Sequence, residues 1–355
     1  MSKRFTTLLF LLLSTGISCG LRERFIDQPV VEVAPDVVLI PIRKGGKMGF
    51  CDRDRRMIIP ATYDSVEQFR EGFARVLRDN KYAFIDRRGR NITGFKYDHA
   101  DREFSDGLAV VGVDIRTGEN DRLGKEIVEK KYGFIDPTGR EVIPLTFDGA
   151  SEFHHGVAAA RLNGKSGYID KEGRTILPFE YEHTARFTEG FGLIKDKGRN
   201  WFVNRDMKEA FPLDVDFASI FEDGRALIQI DKKYGFIDST GAMVIPVKFE
   251  YAYGFSDGLA PVRVDGKWGF IDVNGNLVLP PKYSSVSYFY EGIAYTQQPD
   301  GKYCFMDKAG SILRCPSYSS TGEFRDGIAV ANEGDHHYMN SFYIDTEWNE
   351  YRDIQ

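Results

Sequence analysis

Hydrophobic positions along this chain recur at a spacing of two and are broken at short intervals by turn residues. In the clearest stretch Ala260, Val262 and Val264 alternate with Pro261 and Arg263, the pattern of a strand with one buried face. Asp265-Gly266 follows; both positions tolerate positive φ, so the pair closes a two-residue hairpin. The returning strand carries Trp268 to Ile271, and Asp272-x-x-Gly275 turns the chain again. A third strand runs into Pro280, which cannot donate to a ladder and so ends the pairing or marks an edge. The predicted unit is a three-stranded antiparallel meander.

The unit repeats. Its central aromatic falls at Phe50, Phe84, Phe134, Tyr168, Phe202, Phe236, Phe270, Phe305 and Tyr343, mostly 34 residues apart (Phe236 to Phe270, for example). A second marker, Phe-x-x-Gly, keeps the same period at Phe69, Phe104, Phe153, Phe187, Phe221, Phe255, Phe289 and Phe324. Between meanders lies a connector with an aromatic of its own (Tyr63, Phe147, Tyr181, Phe249, Tyr283). One interval is longer, and its extra residues, 112–130, are rich in Thr, Gly, Asn, Asp, Arg and Lys; they are expected to form a long exposed loop. A lone first strand near residues 37–43 and a last one near 351–354 give nine meanders in all.

The expected fold class is therefore an all-β repeat protein of nine units. A small meander cannot bury its apolar face alone and must stack on its neighbours. An alanine two places after the connector glycine (Ala74, Ala109, Ala158, Ala226, Ala260, Ala294, Ala329) marks close approach in unit after unit. Two arrangements satisfy this, an elongated β-solenoid or a closed β-propeller-like ring. Propellers have typically four to eight blades, and blades of the WD40 type need about 40–45 residues, so the solenoid is favoured.

The residues Lys267-Trp268-Gly269-Phe270-Ile271-Asp272, with Lys131 to Asp136 and Lys233 to Asp238, resemble the WG-containing repeat of bacterial proteins across nearly the whole chain after its first segment. Trp201, Cys304 and Phe342 stand in place of the glycine, so altered backbone packing is expected in those units. The resemblance implies a β-repeat architecture and association with the cell envelope, and it implies no defined activity.

The first residues read differently. Lys3 and Arg4 precede an apolar run from Leu8 to Leu13 and then small residues, the order of a secretory signal. Gly16-Ile17-Ser18-Cys19 resembles the lipobox of bacterial lipoproteins, whose cysteine carries lipid. The expected organisation is a signal peptide over 1–18, a tether over 19–35 held to a membrane by lipid on Cys19, and the repeat domain over 36–355. The protein would be exported and sit on the periplasmic or outer-membrane face of the envelope. The net charge of −6, without a run of either sign, offers no basic stripe for nucleic acid. Gly (36), Phe (27) and Tyr (18) are abundant, which suits many short strands and tight turns.

Candidate chemistry is sparse. The recurring Asp52, Asp86, Asp136, Asp170, Asp238, Asp272, Asp307 and Asp345 supply one carboxylate per turn, and bonding to the turn's own backbone accounts for them. Calcium would need several oxygens from one loop, so no metal or other cofactor is expected. Basic residues before the aromatic (Lys47, Lys81, Lys131) and acids before the connector glycine (Glu71, Asp106, Asp223) also recur, as turn chemistry and surface ion pairs. Tyr82, Tyr132, Tyr234, Trp268 and Tyr303 form a ladder that would stack sugar rings if exposed, or else glue the repeats together. His154-His155 and His336-His337 are adjacent pairs whose members face opposite ways on a strand. Cys51 occupies an isoleucine slot. Cys304 and Cys315 lie on neighbouring strands of one unit, and export permits a bond that a diagonal offset would disfavour. The leading expectation is a non-enzymatic binding or scaffold module facing an envelope protein or cell-wall glycan; a glycan-acting enzyme and a structural spacer are the alternatives.

Overall fold

The computed structural model describes residues 33–34, 37–298, 303–334 and 340–354. They form nine small antiparallel sheets, six of four strands and three of three strands. The seventh shows the plan. A two-residue inner strand, Tyr251–Ala252, is followed by Leu259–Val264, Lys267–Asp272 and the outer Leu277–Tyr283, each paired to the one before. The connector is thus a fourth strand, so 34 residues suffice for a full blade because the inner strand is so short.

The sheets close into a ring. Ile40, Ile42 and Cys51 of the first share a buried cluster with Ile328 and Tyr351 of the ninth, and Ile354 bridges to Lys44. This is a nine-bladed β-propeller, so the expected solenoid is replaced by its alternative. The successive blades bury one core between each pair, for example Phe134, Ile143 and Phe147 against Phe153, Ala158 and Ile169. The recurring alanines sit at those seams, with Ala74, Ala158, Ala226, Ala260 and Ala329 fully enclosed.

The glycine of the repeat is required by space. A Cβ on Gly269 would lie 2.5 Å from the Leu279 carbonyl oxygen and 2.8 Å from Pro281 N; on Gly133 it would lie 2.4 Å from the Ile143 oxygen. The outer strand passes directly over this point through a bulge, since Trp268 pairs with Tyr283 but Phe270 with Leu279. All five units with glycine here (Gly49, Gly133, Gly167, Gly235, Gly269) have outer strands of seven residues. Units with Ala83 and Trp201 keep only isolated bridges there, and those with Cys304 and Phe342 have outer strands of three and two residues.

Two further expectations change. Residues 112–130 do not form a loop: Ala109–Asn120 and Glu126–Ile135 extend the third blade's central hairpin outward, because Val113 and Ile115 keep the strand period and the β-branched Thr117, Ile127 and Val128 favour extended backbone. Cys304 and Cys315 are bonded, with Cα atoms 4.0 Å apart, so the expected diagonal offset is absent. Cys51 is free and fully buried, where desolvation pushes its thiol up to about 12. Cys19, the signal and most of the tether lie outside the described residues.

Candidate functional site

The recurring aspartates are consumed by their own turns. Asp86 Oδ1 accepts the amide N–H groups of Arg88 and Arg90 at 3.0 and 2.9 Å. Asp52, Asp170, Asp307 and Asp345 accept in the same way. Bonds from Thr138, Thr240 and Asn276 hold the Asp136, Asp238 and Asp272 carboxyls below the usual range. Among the described residues no three His, Cys, Asp or Glu side chains converge as metal ligands.

A second set of carboxylates links blade to blade. The acid before the connector glycine adopts positive φ, as at Asp223 and Asp257 (52° and 55°), and five of these acids reach the next blade. Asp106 accepts from Gly156 N–H, Glu189 from Gly224, Asp223 from Gly258, Asp257 from Gly292, and Glu291 from Gly327, at 2.7–2.9 Å. A third set escaped the sequence reading. Asp64, Asp148, Glu182, Asp216 and Glu250 sit just before the inner strand and accept an N–H from the following hairpin turn, and Asp98 accepts from Asp114 within the extended third-blade strand, at 2.8–3.2 Å. Their signal was the acid directly after the connector aromatic, as in Tyr63-Asp64 and Phe147-Asp148.

Each ring of the aromatic ladder packs against a neighbour, and only Tyr303 stays exposed. Trp268 stacks on Tyr253 (5.0 Å, 8°) and Tyr303 on Tyr295 (5.1 Å, 6°). Tyr234 packs on Tyr251 and Tyr132 on His99, while the Arg75 guanidinium lies 4.7 Å over Tyr82. Each ring therefore has a neighbour from an inner segment or adjoining strand against it. Tyr251, Tyr253 and the ladder's own Tyr303 retain 42%, 36% and 37% exposure, and Phe217 36%, so exposed aromatic surface lies on the sixth to eighth blades rather than along all nine. His154 lies 3.5 Å from Glu152; His336 and His337 lie outside the described residues.

The ring encloses a cavity of about 1040 Å³ whose wall carries opposed charges, among them Asp101, Glu103, Glu152, Arg70, Arg75 and Arg186. Arg70 pairs with Glu103 at 2.5 Å and Arg186 with Glu152 at 3.7 Å, while Arg75 meets Glu67 at 2.8 Å. Burial, then the charges of Glu152 and Glu103, push the Asp101 carboxyl up to about 7 against the pull of Arg75. Burial likewise raises Glu222, whose Oε2 lies 2.5 Å from where a Cβ on Gly254 would sit. Such a wall can bind charged and polar groups from several directions at once. The inner segments that build it share their backbone with every blade but vary in side chain, so the repeat supplies a rigid frame and these positions supply its chemistry.

The topology and this axial cavity define the class: a nine-bladed propeller whose variable inner segments surround a polar centre. The WG-containing repeat model matches residues 48–82, 82–114, 132–165, 167–201, 202–234, 234–268 and 268–303, and the chain belongs to that family. No curated protein matches the sequence. Among solved structures, a eukaryotic initiation factor superposes with a TM-score of 0.58 at 10% identity, covering 90% of this chain and 97% of that one. BamB from Moraxella catarrhalis matches at a TM-score of 0.43 and 12% identity, over 78% of this chain and 98% of that one. At such identity the first likeness concerns the fold alone.

Proposed function

We propose that this protein is a non-enzymatic binding or scaffold module of the bacterial cell envelope, exported and tethered by lipid on Cys19, which engages a protein partner through the axis of its ring. The observation that supports this best is the mixed-charge cavity wall, with carboxylates and guanidinium groups interleaved over several blades. Complementary charge patterns of this kind give specificity and orientation in protein recognition. Cell-wall glycan is the second reading. The exposed Tyr251, Tyr253 and Tyr303 favour it, whereas the half-buried Tyr82, Tyr132 and Tyr234 weigh against it.

A photo-reactive residue at Arg102, whose side chain is 73% exposed beside the cavity, is expected to cross-link one envelope protein in intact cells. Purified protein is expected to stay in the supernatant when mixed with cell-wall sacculi. Sedimentation that survives high salt and is lost in Tyr253→Ala would replace the protein reading with the glycan one. Metabolic palmitate labelling that persists in Cys19→Ser would remove the lipid anchor from the proposal.

A further inference from the structure

Arginines in this chain settle between an aromatic ring and a carboxylate. The Arg75 guanidinium lies 4.7 Å over Tyr82 and 2.8 Å from Glu67. Arg325 lies 5.1 Å over Tyr290 and donates to Glu323 at 2.8 Å. Arg199 does the same with Trp201 and Glu209, at 5.0 and 2.6 Å, and Arg352 with Phe342 and Glu333, at 3.8 and 2.7 Å. The negative face of the ring and the carboxylate hold the cation from two sides. A flat guanidinium stacks on a ring better than an ammonium does and offers several donors to the carboxylate.

The sixth to eighth blades bring a carboxylate and tyrosine rings together around Gly254. Glu222 reaches from the sixth blade over the backbone of the seventh, so that its Oε2 would touch a Cβ on Gly254 at 2.5 Å. Gly254 lies outside the left-handed region, so its backbone does not call for glycine; the space taken by Glu222 does. Neighbouring blades carry Arg186, Tyr288 and Glu323 at this place before the marker phenylalanine. Tyr253 and Tyr288 stand beside it with ring centroids 5.5 Å apart, and Trp268 stacks on Tyr253 at 5.0 Å. Burial, then the charge of Glu222, pushes the Tyr288 hydroxyl up to about 12 against the pull of the Gly254 N–H. Carboxylate, hydroxyl and glycine are therefore side by side. Tyr253 is 36% exposed and the Glu222 side chain 39%, and Arg186 and Ser287 next to them line the axial cavity. The nearest cation to Glu222 among the described residues is Arg186, at 3.9 Å, beyond hydrogen-bonding distance and closer to Glu152 at 3.7 Å. Burial, with the charges of Asp223 and Glu189, raises the Glu222 carboxyl against the pull of Arg186, so a further cation here relieves local repulsion.

We propose that Glu222, Tyr253 and Tyr288 form a binding site for an arginine side chain of the partner protein, whose guanidinium lies on the tyrosine rings and donates to Glu222. The inference rests on the protein-partner reading above and names one anchor by which that partner is held. The four arginines that the chain pairs in this way with its own rings and carboxylates define the ligand. Arginine anchored on aromatic rings is among the contacts that carry most of the energy in protein interfaces. Arg186 stays with Glu152 when the site is filled. Gly254 is a positioning residue: alanine there pushes the Glu222 carboxylate, the free end of a flexible side chain, away from the rings and leaves the blade intact.

The probe is acetyl-arginine amide, titrated against the purified full chain and followed by ligand-observed NMR. Saturable binding is expected. Acetyl-citrulline amide, which keeps the shape and lacks the charge, should bind at least about tenfold more weakly. Glu222→Gln and Gly254→Ala should each weaken the arginine probe at least about fivefold with unchanged thermal unfolding. Tyr288→Leu should weaken it by a similar factor, and Tyr288→Phe, which keeps the ring, should bind as the parent does even if the leucine variant is poorly folded. No saturable binding, equal binding of the citrulline probe, or parental binding by both Glu222→Gln and Gly254→Ala would overturn the site. Acetyl-lysine amide binding as tightly as the arginine probe would overturn the guanidinium assignment. An absent envelope cross-link from Arg102 with intact arginine binding would defeat the protein-partner reading and leave the arginine site in place, whereas an intact cross-link without arginine binding would defeat the site alone.

Discussion

Substituting Gly269 by alanine tests whether the repeat's glycine is fixed by the outer strand. The backbone at Gly269 is not in the left-handed region, so alanine meets no conformational penalty and gains the usual entropic advantage over glycine. Only space opposes it. The added carbon would meet the Leu279 oxygen at 2.5 Å, Pro281 N at 2.8 Å and Pro280 C at 2.9 Å, all backbone atoms that cannot rotate away. Overfilling a packed site costs about 1–3 kcal/mol. If the strand detaches instead, Leu279 and Tyr283, now 5% and 1% exposed, lose burial worth about 1.5–3 kcal/mol each. The smaller route sets the outcome, so a loss of about 1–3 kcal/mol is expected.

The assay is urea unfolding followed by tryptophan fluorescence, with hydrogen exchange across 277–283. Gly269→Ala should lower the midpoint and shorten the protection of those amides specifically. The control is Ala83→Gly, in a unit that has already lost its outer strand; it should cost about 1–2 kcal/mol, from added chain entropy and the loss of one buried methyl, without changing exchange elsewhere in its blade. A Gly269→Ala variant within about 0.5 kcal/mol of the parent, with unchanged exchange at 277–283, would refute the close-approach argument.

Asp101 retains its proton in the folded state up to about pH 7, whereas an unfolded aspartate loses it near 4. The folded state therefore binds more protons between these values. This contribution is complete below about pH 4 and is lost as pH rises through about 7. From pH 5 to 8 the parent should lose at least about 1 kcal/mol more stability than Asp101→Asn, and parallel Tm profiles for the two would contradict this. Asp223→Ala removes the acceptor of Gly258 N–H and places alanine at a φ of 52°; a loss of about 1–3 kcal/mol with faster exchange at Gly258 is expected, and Asp223→Asn should recover part of it. Opening the bond between Cys304 and Cys315, which are 11 residues apart, should cost about 2–3 kcal/mol in chain entropy. Reductant should lower the parent's Tm by a matching amount and leave Cys304→Ser unmoved.

The unit was legible because its determinants are local and repeated. Alternating apolar residues, Asp-Gly hairpins and Asp-x-x-Gly turns each act within a few residues, and the copies confirm one another. Closure was not, because the step from line to ring depends on how neighbouring blades wedge together and on Ile40 and Ile42 meeting Ile328 and Tyr351, some 290 residues away. The connector's two-residue strand was also invisible, and without it a 34-residue unit looked too short for a blade. The aromatic ladder was legible as a ladder, but its cover was not. Tyr253 and His99 come from inner segments where the repeat varies, so periodicity carries no information about them.

The disulfide follows from the same geometry as the glycine. In copies with glycine the outer strand bulges over the central one, and the atom that a side chain at Gly269 would strike includes Pro280 C. Cys304 stands at the place of Gly269 and Cys315 at that of Pro280, counting from Asp272 and Asp307. The shift between Phe305 and Met306 is kept, as between Phe270 and Ile271. The strand ends at Arg314, however, and the second shift, which sets Trp268 across from Tyr283 in the seventh blade, has no counterpart among the described residues, which leaves Phe305 across from Arg314. Continued by one residue, that register sets Cys304 directly across from Cys315, where Cα atoms 4.0 Å apart match the close, non-hydrogen-bonded kind of antiparallel pair. Gly269 already lies against Pro280 in the seventh blade, so the repeat itself brings the two cysteine positions together. Where the glycine is lost, the outer strand loses its length, and in the eighth blade a covalent bond holds what remains of it.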